Sequence, residues 1–294
     1  MSSTASAVRP TAAVARRREN FPVASRLLPS RYRRHLLAVY DFARLVDDVG
    51  DEAAGDRLAQ LAWLDADVDR AFEGRAEHSV LVRLQTTIRD RALEPDPFHR
   101  LVEANRRDQR VARYPTWEAL REYCSYSADP VGRLVLDVFG VSTPARVAWS
   151  DDVCTALQLT EHLQDVAEDR ARGRVYLPEE DLARFGCSDT DLDGSSATPR
   201  LRRVIAYEVT RARSLLQAGT SLVASLRGFA RLAVVGFVAG GRAALDAIEG
   251  VDDDVLRHRA PGPSRRSIAA NAWTVHRTAR RASARLRRDE AITR

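Results

Sequence analysis

Residues 45–52 read LVDDVGDE, and they set four carboxylates into a stretch that is otherwise apolar and helical in pattern. HLLAVYDFAR precedes them and AAGDRLAQLAWL follows, so apolar residues occupy most of the helix circumference around the acids. An ionised carboxylate in such surroundings is costly unless it is neutralised, paired with arginine or bound to a metal ion. Tyr40, Arg44, Asp47, Asp48 and Asp51 step by i, i+4, i+7, i+8 and i+11, which puts them on one polar stripe. Like charges at i and i+4 repel, so Asp47 beside Asp51 is unfavourable unless a cation sits between them.

A second stripe lies 118 residues further on, in ALQLTEHLQDVAEDRARGRVYLP. Gln158, Glu161, His162, Asp165, Glu168, Asp169 and Arg172 again step by three or four, while Leu157, Leu159, Leu163, Val166 and Ala167 stay apolar. Two helices facing each other with such stripes enclose a cavity lined by carboxylates. Carboxylates with few histidines favour a hard cation, and Mg²⁺ usually takes one or two of them together with waters and substrate phosphates. A di-iron bundle needs Glu-x-x-His on two helices, which these clusters lack, and neither cluster has the twelve-residue spacing of an EF-hand. Each stripe alone reads as a solvated face. Together, with Arg44, Arg172 and Arg174 close by, they point to a diphosphate held through both metal and guanidinium.

The rest of the chain frames this site. Its 294 residues are 45% hydrophobic, with apolar residues at three- and four-residue spacing almost throughout and almost no strict alternation, so an all-α fold is expected. Breaks fall at Pro22 and Pro29, Pro95 to Pro97, Pro115-Thr116, Gly140 to Pro144, Gly186 to Pro199, and Pro261 to Pro263. Thr116 and the Ser142-Thr143-Pro144 run have the composition of helix starts. The longest apolar run, LAVVGFVAGG from Leu232 to Gly241, is short and glycine-broken, so no membrane-spanning helix is expected. The start lacks the apolar core of a signal peptide, and a cytoplasmic location is expected. Cys124, Cys154 and Cys187 form neither a disulfide framework nor a zinc pattern and suit a reducing compartment.

All 46 basic residues are arginine, and their distribution is uneven. Residues 255–294 carry a net charge of +9 and residues 1–18 add +4, leaving −8 on the body between them. Three segments are therefore expected: a disordered basic tail over 1–18, one helical domain over 19–256, and a basic, partly helical extension over 257–294. The extension has Ile268, Trp273, Val275, Ala279 and Leu286 among its arginines, so transient contact with anionic lipid is one candidate role and a solvated final helix the other. No nucleic-acid recognition motif appears, and nucleic acid is not expected as a partner. The oligomeric state is left open.

On these motifs the sequence resembles the squalene and phytoene synthase family. YDFARLVDDVGDE is similar to its first aspartate-rich motif, and LQLTEHLQDVAEDRARGRVYLP to its second. ENFPVASRLLPSRYR, YCSYSADPVGRLVLDVFG and RLAVVGFVAGGRAALDAIE resemble the hydroxysqualene synthase branch of hopanoid biosynthesis. The resemblance implies an isoprenoid synthase fold, with a central apolar cavity between helices, and a prenyl diphosphate substrate. It implies Mg²⁺ held by Asp47, Asp48, Asp51, Glu161, Asp165, Glu168 and Asp169. It also implies catalytic roles for Tyr40, Arg44, Asp47, Asp51 and Asp165, and substrate contacts from Arg44, Tyr123, Gln158, Arg174 and Tyr176. The implied reaction removes diphosphate from presqualene diphosphate and captures the rearranged cation with water. Tyr40, Tyr123 and Tyr126 are candidate faces for that cation, with Phe42 read as core.

Two positions depart from the family pattern. Glu161 stands where the family commonly has a metal-binding Asn, and Asp129 where this branch usually has Asn. Residues 17–20, RREN, occupy the place of the motif found in synthases that join two prenyl diphosphates, which weighs against condensation. The alternatives are a condensing squalene or phytoene synthase and a helical nucleic-acid or membrane-surface binding protein without catalysis.

Overall fold

The structure is a computed structural model that describes residues 28–257 and 263–292, with side chains described to residue 282. The expected amino-terminal tail, the RREN segment and Leu286 lie outside these limits. The described residues form fourteen helices and no β-strand, joined at one point by an isolated bridge between Arg113 and Val175. In chain order the first six are α1 (Ser30–Asp51), α2 (Arg57–Phe72), α3 (Ser79–Arg91), α4 (Asp96–Asp108), α5 (Trp117–Ser127) and α6 (Asp129–Phe139). There follow α7 (Pro144–Gln164), α8 (Val166–Ala171), α9 (Glu179–Arg184), α10 (Asp189–Leu192) and α11 (Pro199–Leu216), then α12 (Ala218–Ser225), α13 (Gly228–Gly250) and α14 (Arg265–Ile292).

The helix boundaries follow local chemistry. α1 starts after Pro29 and α4 after Pro95, where a missing N–H costs nothing. The Thr116 hydroxyl accepts from Ala119 N at 3.2 Å, and Thr143 accepts from Arg146 N at 3.3 Å with Pro144 next to it. α6 stops at Gly140, whose φ of 67° suits a residue without Cβ. The second acid stripe is less regular than its spacing suggests. Helical dihedrals stop at Asp165 (φ −104°, ψ 15°), which divides the stripe between α7 and α8. One turn earlier the buried Thr160 hydroxyl bonds back to Ala156 O at 2.7 Å, a contact that bends helices.

Two groups of helices meet around the site. α1 packs against α2, α3, α4 and α6, and α7 packs against α5, α6, α11, α12 and α13. Phe42 is fully buried on α1 and meets Phe98 of α4 edge-on at 5.1 Å, so it is core as expected. Further along the same contact, Gly50 lets α1 and α4 touch. A Cβ there would collide with Asn105 Oδ1 and stand 2.8 Å from its Cγ and 3.1 Å from its Cβ. α13 is long and apolar enough to cross a membrane by length and composition, which the run Leu232 to Gly241 alone did not signal. It packs against α7, α11, α12 and α14, and 56% of its apolar window is buried, the pattern of a core helix.

Asp129 begins α6 and is 6% exposed, accepting a 3.0 Å bond from the Thr155 hydroxyl. Burial pushes its pKa up to about 7, and the charge of Asp151 adds to this. A protonated Asp129 presents the same neutral outline as the Asn that the resemblance places there.

Two expectations follow. Gly50→Ala gains up to about 1 kcal/mol of helix propensity but costs about 1–3 kcal/mol of overpacking, so its denaturant midpoint should fall. An unchanged midpoint would contradict the close approach of α1 and α4. Because the folded state holds the Asp129 proton more tightly than the unfolded chain, the residue's contribution favours folding at low pH and is lost as pH rises from about 4 to about 7. Asp129→Asn should therefore raise the melting midpoint, relative to the unmodified protein, more at pH 8 than at pH 5. A difference independent of pH would contradict the protonated state.

Candidate active site

A cavity of about 220 Å³ opens where α1 and α4 face α5, α7 and α8. Asp47 and Asp51 of α1 form one wall, and Gln158, Glu161, Asp165 and Asp169 form the other. Arg172 and Arg174, in the turn after α8, complete the lining on the second side. Arg174 Nη1 donates to Asp51 Oδ1 at 2.9 Å and Arg172 approaches the other oxygen at 3.7 Å, so the two walls are joined by an ion pair. The turn is held in place by Val175 N, which donates to Ala112 O at 2.8 Å, and by Arg174 N, which donates to Asp169 O at 2.8 Å. Most of the lining is polar, with Leu101 and Ala104 as its apolar part.

Three tyrosines and a histidine pack behind the second wall. Tyr123 and Tyr176 both donate to Asp108, at 2.7 and 2.9 Å, and Tyr114 packs against both rings. The Tyr176 ring stacks on His162 at 3.8 Å with 11° between planes. His162 meets Gln158 through Nε2 at 3.2 Å and stands 3.8 Å from Asp169, so it orients members of the second stripe from a position 7% exposed. Burial pushes both tyrosine pKa values well above their ordinary range, and they remain hydroxyl donors.

The acids are not equivalent. Asp47 opens onto the cavity, but the surrounding protein removes it from bulk water and raises its pKa to about 7. The bond from Asn105 at 3.2 Å and the charge of Arg44 act against this, while Asp51 and Asp48 add to it. Burial also lifts Asp108 above the ordinary carboxylate range, against its tyrosine bonds and the charge of Arg174. Burial disfavours the charge on Arg174, yet Tyr176, Asp108 and Asp51 reverse this and hold it firmly charged.

Of the residues singled out in the sequence, Asp47, Asp51, Tyr123, Gln158, Glu161, Asp165, Asp169, Arg174 and Tyr176 all line this one cavity. Tyr40, Arg44, Asp48 and Glu168 are not part of its lining. Asp48 pairs with Arg44 at 3.2 Å on α1, and Glu168 is exposed on α8, one helical step from Asp169. Tyr126, a candidate cation face, instead carries the Arg107 guanidinium 3.7 Å above its ring.

Sequence reasoning missed Asn105, Asp108 and Ser127. Asn105 and Asp108 continue the buried face of α4 that runs through Phe98 and Leu101, so polar residues on an apolar repeat were the available signal. Ser127 lines the cavity, and its Oγ has no hydrogen-bond partner among the described residues. It carried no sequence signal.

Among the described residues, no three His, Cys, Asp or Glu side chains form a ready-made metal cage. The donors fit Mg²⁺ nonetheless: they are hard oxygens on two opposed walls, and Asp47 carries like-charge repulsion that a cation would relieve. Mg²⁺ commonly binds through one or two carboxylates and completes its octahedron with water and phosphate oxygens.

Comparison with known proteins agrees with this geometry. The squalene/phytoene synthase family profile matches residues 14–266. The hydroxysqualene synthase of Zymomonas mobilis is 40% identical over 214 residues, 71% of this chain and 71% of that protein. The 15-cis-phytoene synthase of Synechococcus elongatus is 33% identical over 270 residues, covering 87% and 88%. The crystal structure of squalene synthase HpnC from Alicyclobacillus acidocaldarius superposes with a TM-score of 0.75 at 45% identity, covering 79% of this chain and 88% of that one. The chain described here belongs to the squalene/phytoene synthase family.

Proposed function

We propose that the protein converts presqualene diphosphate and water to hydroxysqualene and diphosphate, with Mg²⁺ as its cofactor. The observation that carries this reading is the single cavity in which the carboxylates of α1 face those of α7 and α8 with Arg174 bonded to Asp51. Likeness to hydroxysqualene synthases at higher identity than to phytoene synthases supports the choice of reaction.

Asp47 and Asp51 on one side, with Asp165, Asp169 and Glu161 on the other, are the residues that would hold the metal. Bound there, Mg²⁺ would neutralise the negative charge that develops on the departing diphosphate. Arg174, already fixed by Asp51, donates N–H groups toward the same charge. Glu161 supplies a carboxylate where the family commonly has an amide, and its added charge strengthens the demand for cations on that wall.

In ionisation the C–O bond to diphosphate breaks and its electron pair leaves with the diphosphate. The carbocation rearranges, water adds to carbon, and one proton must then leave that oxygen. Tyr123 offers an aromatic ring beside the site, worth about 0.5–2 kcal/mol to a cation within reach, whereas the Tyr176 ring is taken up by His162 and Tyr114. Asp108, held by both tyrosine hydroxyls, is the carboxylate available to take the proton, and Ser127 adds a hydroxyl that can hold the water.

Incubation with presqualene diphosphate should give hydroxysqualene and diphosphate only when Mg²⁺ is present, and Asp165→Ala should lose at least about a hundredfold in kcat/KM. Production of presqualene diphosphate or phytoene from prenyl diphosphates alone would move the protein to the condensing enzymes. Asp108→Asn should leave diphosphate release measurable while hydroxysqualene falls to a minor share of the thirty-carbon products, because capture follows ionisation. Equal loss of release and capture would make Asp108 a structural support for the tyrosines.

A further inference from the structure

Of the apolar residues that the sequence shows in the C-terminal extension, the structure turns Val275 and Ala279 inward and leaves Trp273 outward. Val275 and Ala279 are fully buried, α14 packs on α12 and α13, and Asn271 donates to Asp246 of α13 at 2.9 Å. The outward face is of a different kind. Arg265, Arg266, Arg277, Arg280 and Arg281 are exposed on it, and no acid occurs between residues 263 and 282. At helical spacing, Trp273 falls between Arg266 and Arg280 on that face. Its 68% exposure makes it the most exposed large apolar side chain among the described residues.

We infer that this outer face of α14 docks the protein on an anionic lipid bilayer. An exposed indole set among arginines matches an interface where guanidinium groups meet lipid phosphates and an indole sits at headgroup depth. The geometry favours a plane over a groove. From Arg266 to Arg281 the helix runs about 22 Å, flat against α12 and α13, so only a shallow face is available and no helix projects into a nucleic-acid groove. The acidic body is repelled by the same lipids, which orients the molecule with α14 toward them. The inference stands apart from the proposed reaction, because lipid binding is read without turnover.

The test is co-sedimentation of the full chain with phosphatidylcholine vesicles containing about 30% phosphatidylglycerol, at about 0.1 M salt. Binding is expected with these vesicles, little with phosphatidylcholine alone, and a fall as salt is raised. Each arginine near such a surface is worth roughly a fivefold change in partition, so R266Q/R277Q/R280Q should reduce binding at least tenfold. Trp273→Ala should reduce it severalfold and serves as an independent second variant, since both change only exposed side chains. Failure to bind the anionic vesicles would overturn the inference, as would undiminished binding by both variants. Duplex DNA that binds more tightly than the vesicles and displaces them would instead assign the face to nucleic acid.

Discussion

The repulsion among carboxylates gathered on two walls of one partly desolvated cavity is the constraint on which the rest of this structure depends. Asp47, Asp51, Glu161, Asp165 and Asp169 all reach it, and the fold answers their charge with few cations of its own. Arg174 is paired to Asp51, and Asn105 gives Asp47 a neutral donor. Desolvation raises the Asp47 pKa to about 7, with a smaller contribution from the charges of Asp51 and Asp48, and a site so poised is ready for a divalent cation and a polyanion arriving together. The tight packing around the site serves the same end. Gly50 against Asn105 and the buried Phe42–Phe98 contact hold α1 on α4, while the Arg174–Asp51 pair and the turn pinned to Ala112 tie the opposite wall to them.

Much of this was legible in the sequence because helical periodicity converts directly into faces. The stripe from Tyr40 to Asp51 needed only the 3.6-residue repeat, and the threonine caps and proline starts needed only local chemistry. What escaped was set by tertiary contact or by small departures from ideal helix. The break at Asp165 starts a new helix, α8, whose orientation brings Asp169 to the cavity and leaves the adjacent Glu168, one helical step round, outside it, although their spacing looked equivalent. Asp108 was missed because a carboxylate among Arg106, Arg107 and Arg110 reads as part of a solvated helix end until Tyr123 and Tyr176 are seen to converge on it. Which side of the final helix faces its neighbours was also not legible, because five arginines do not reveal which neighbours bury Val275 and Ala279.

The two departures from the family pattern illustrate opposite uses of a carboxylate. Asp129 is sealed away from the cavity, and burial with Asp151 nearby favours its neutral form, so the change from amide to acid is largely erased at moderate pH. Glu161 lines the cavity and adds to its charge, where a cation can compensate it. The same substitution type is thus silent in one setting and consequential in the other, and only the surroundings distinguish them.

The central claim, that the two acid walls act as one unit around a shared cation and diphosphate, is tested most directly by calorimetric binding of inorganic diphosphate with and without Mg²⁺. The proteins to compare are the unmodified chain, Asp47→Asn, Asp165→Asn and the double variant. The account predicts binding that requires Mg²⁺, a loss of at least about tenfold for each single substitution, and a double variant scarcely weaker than the weaker single. Binding indifferent to Mg²⁺, or losses from the two walls that simply add, would contradict it.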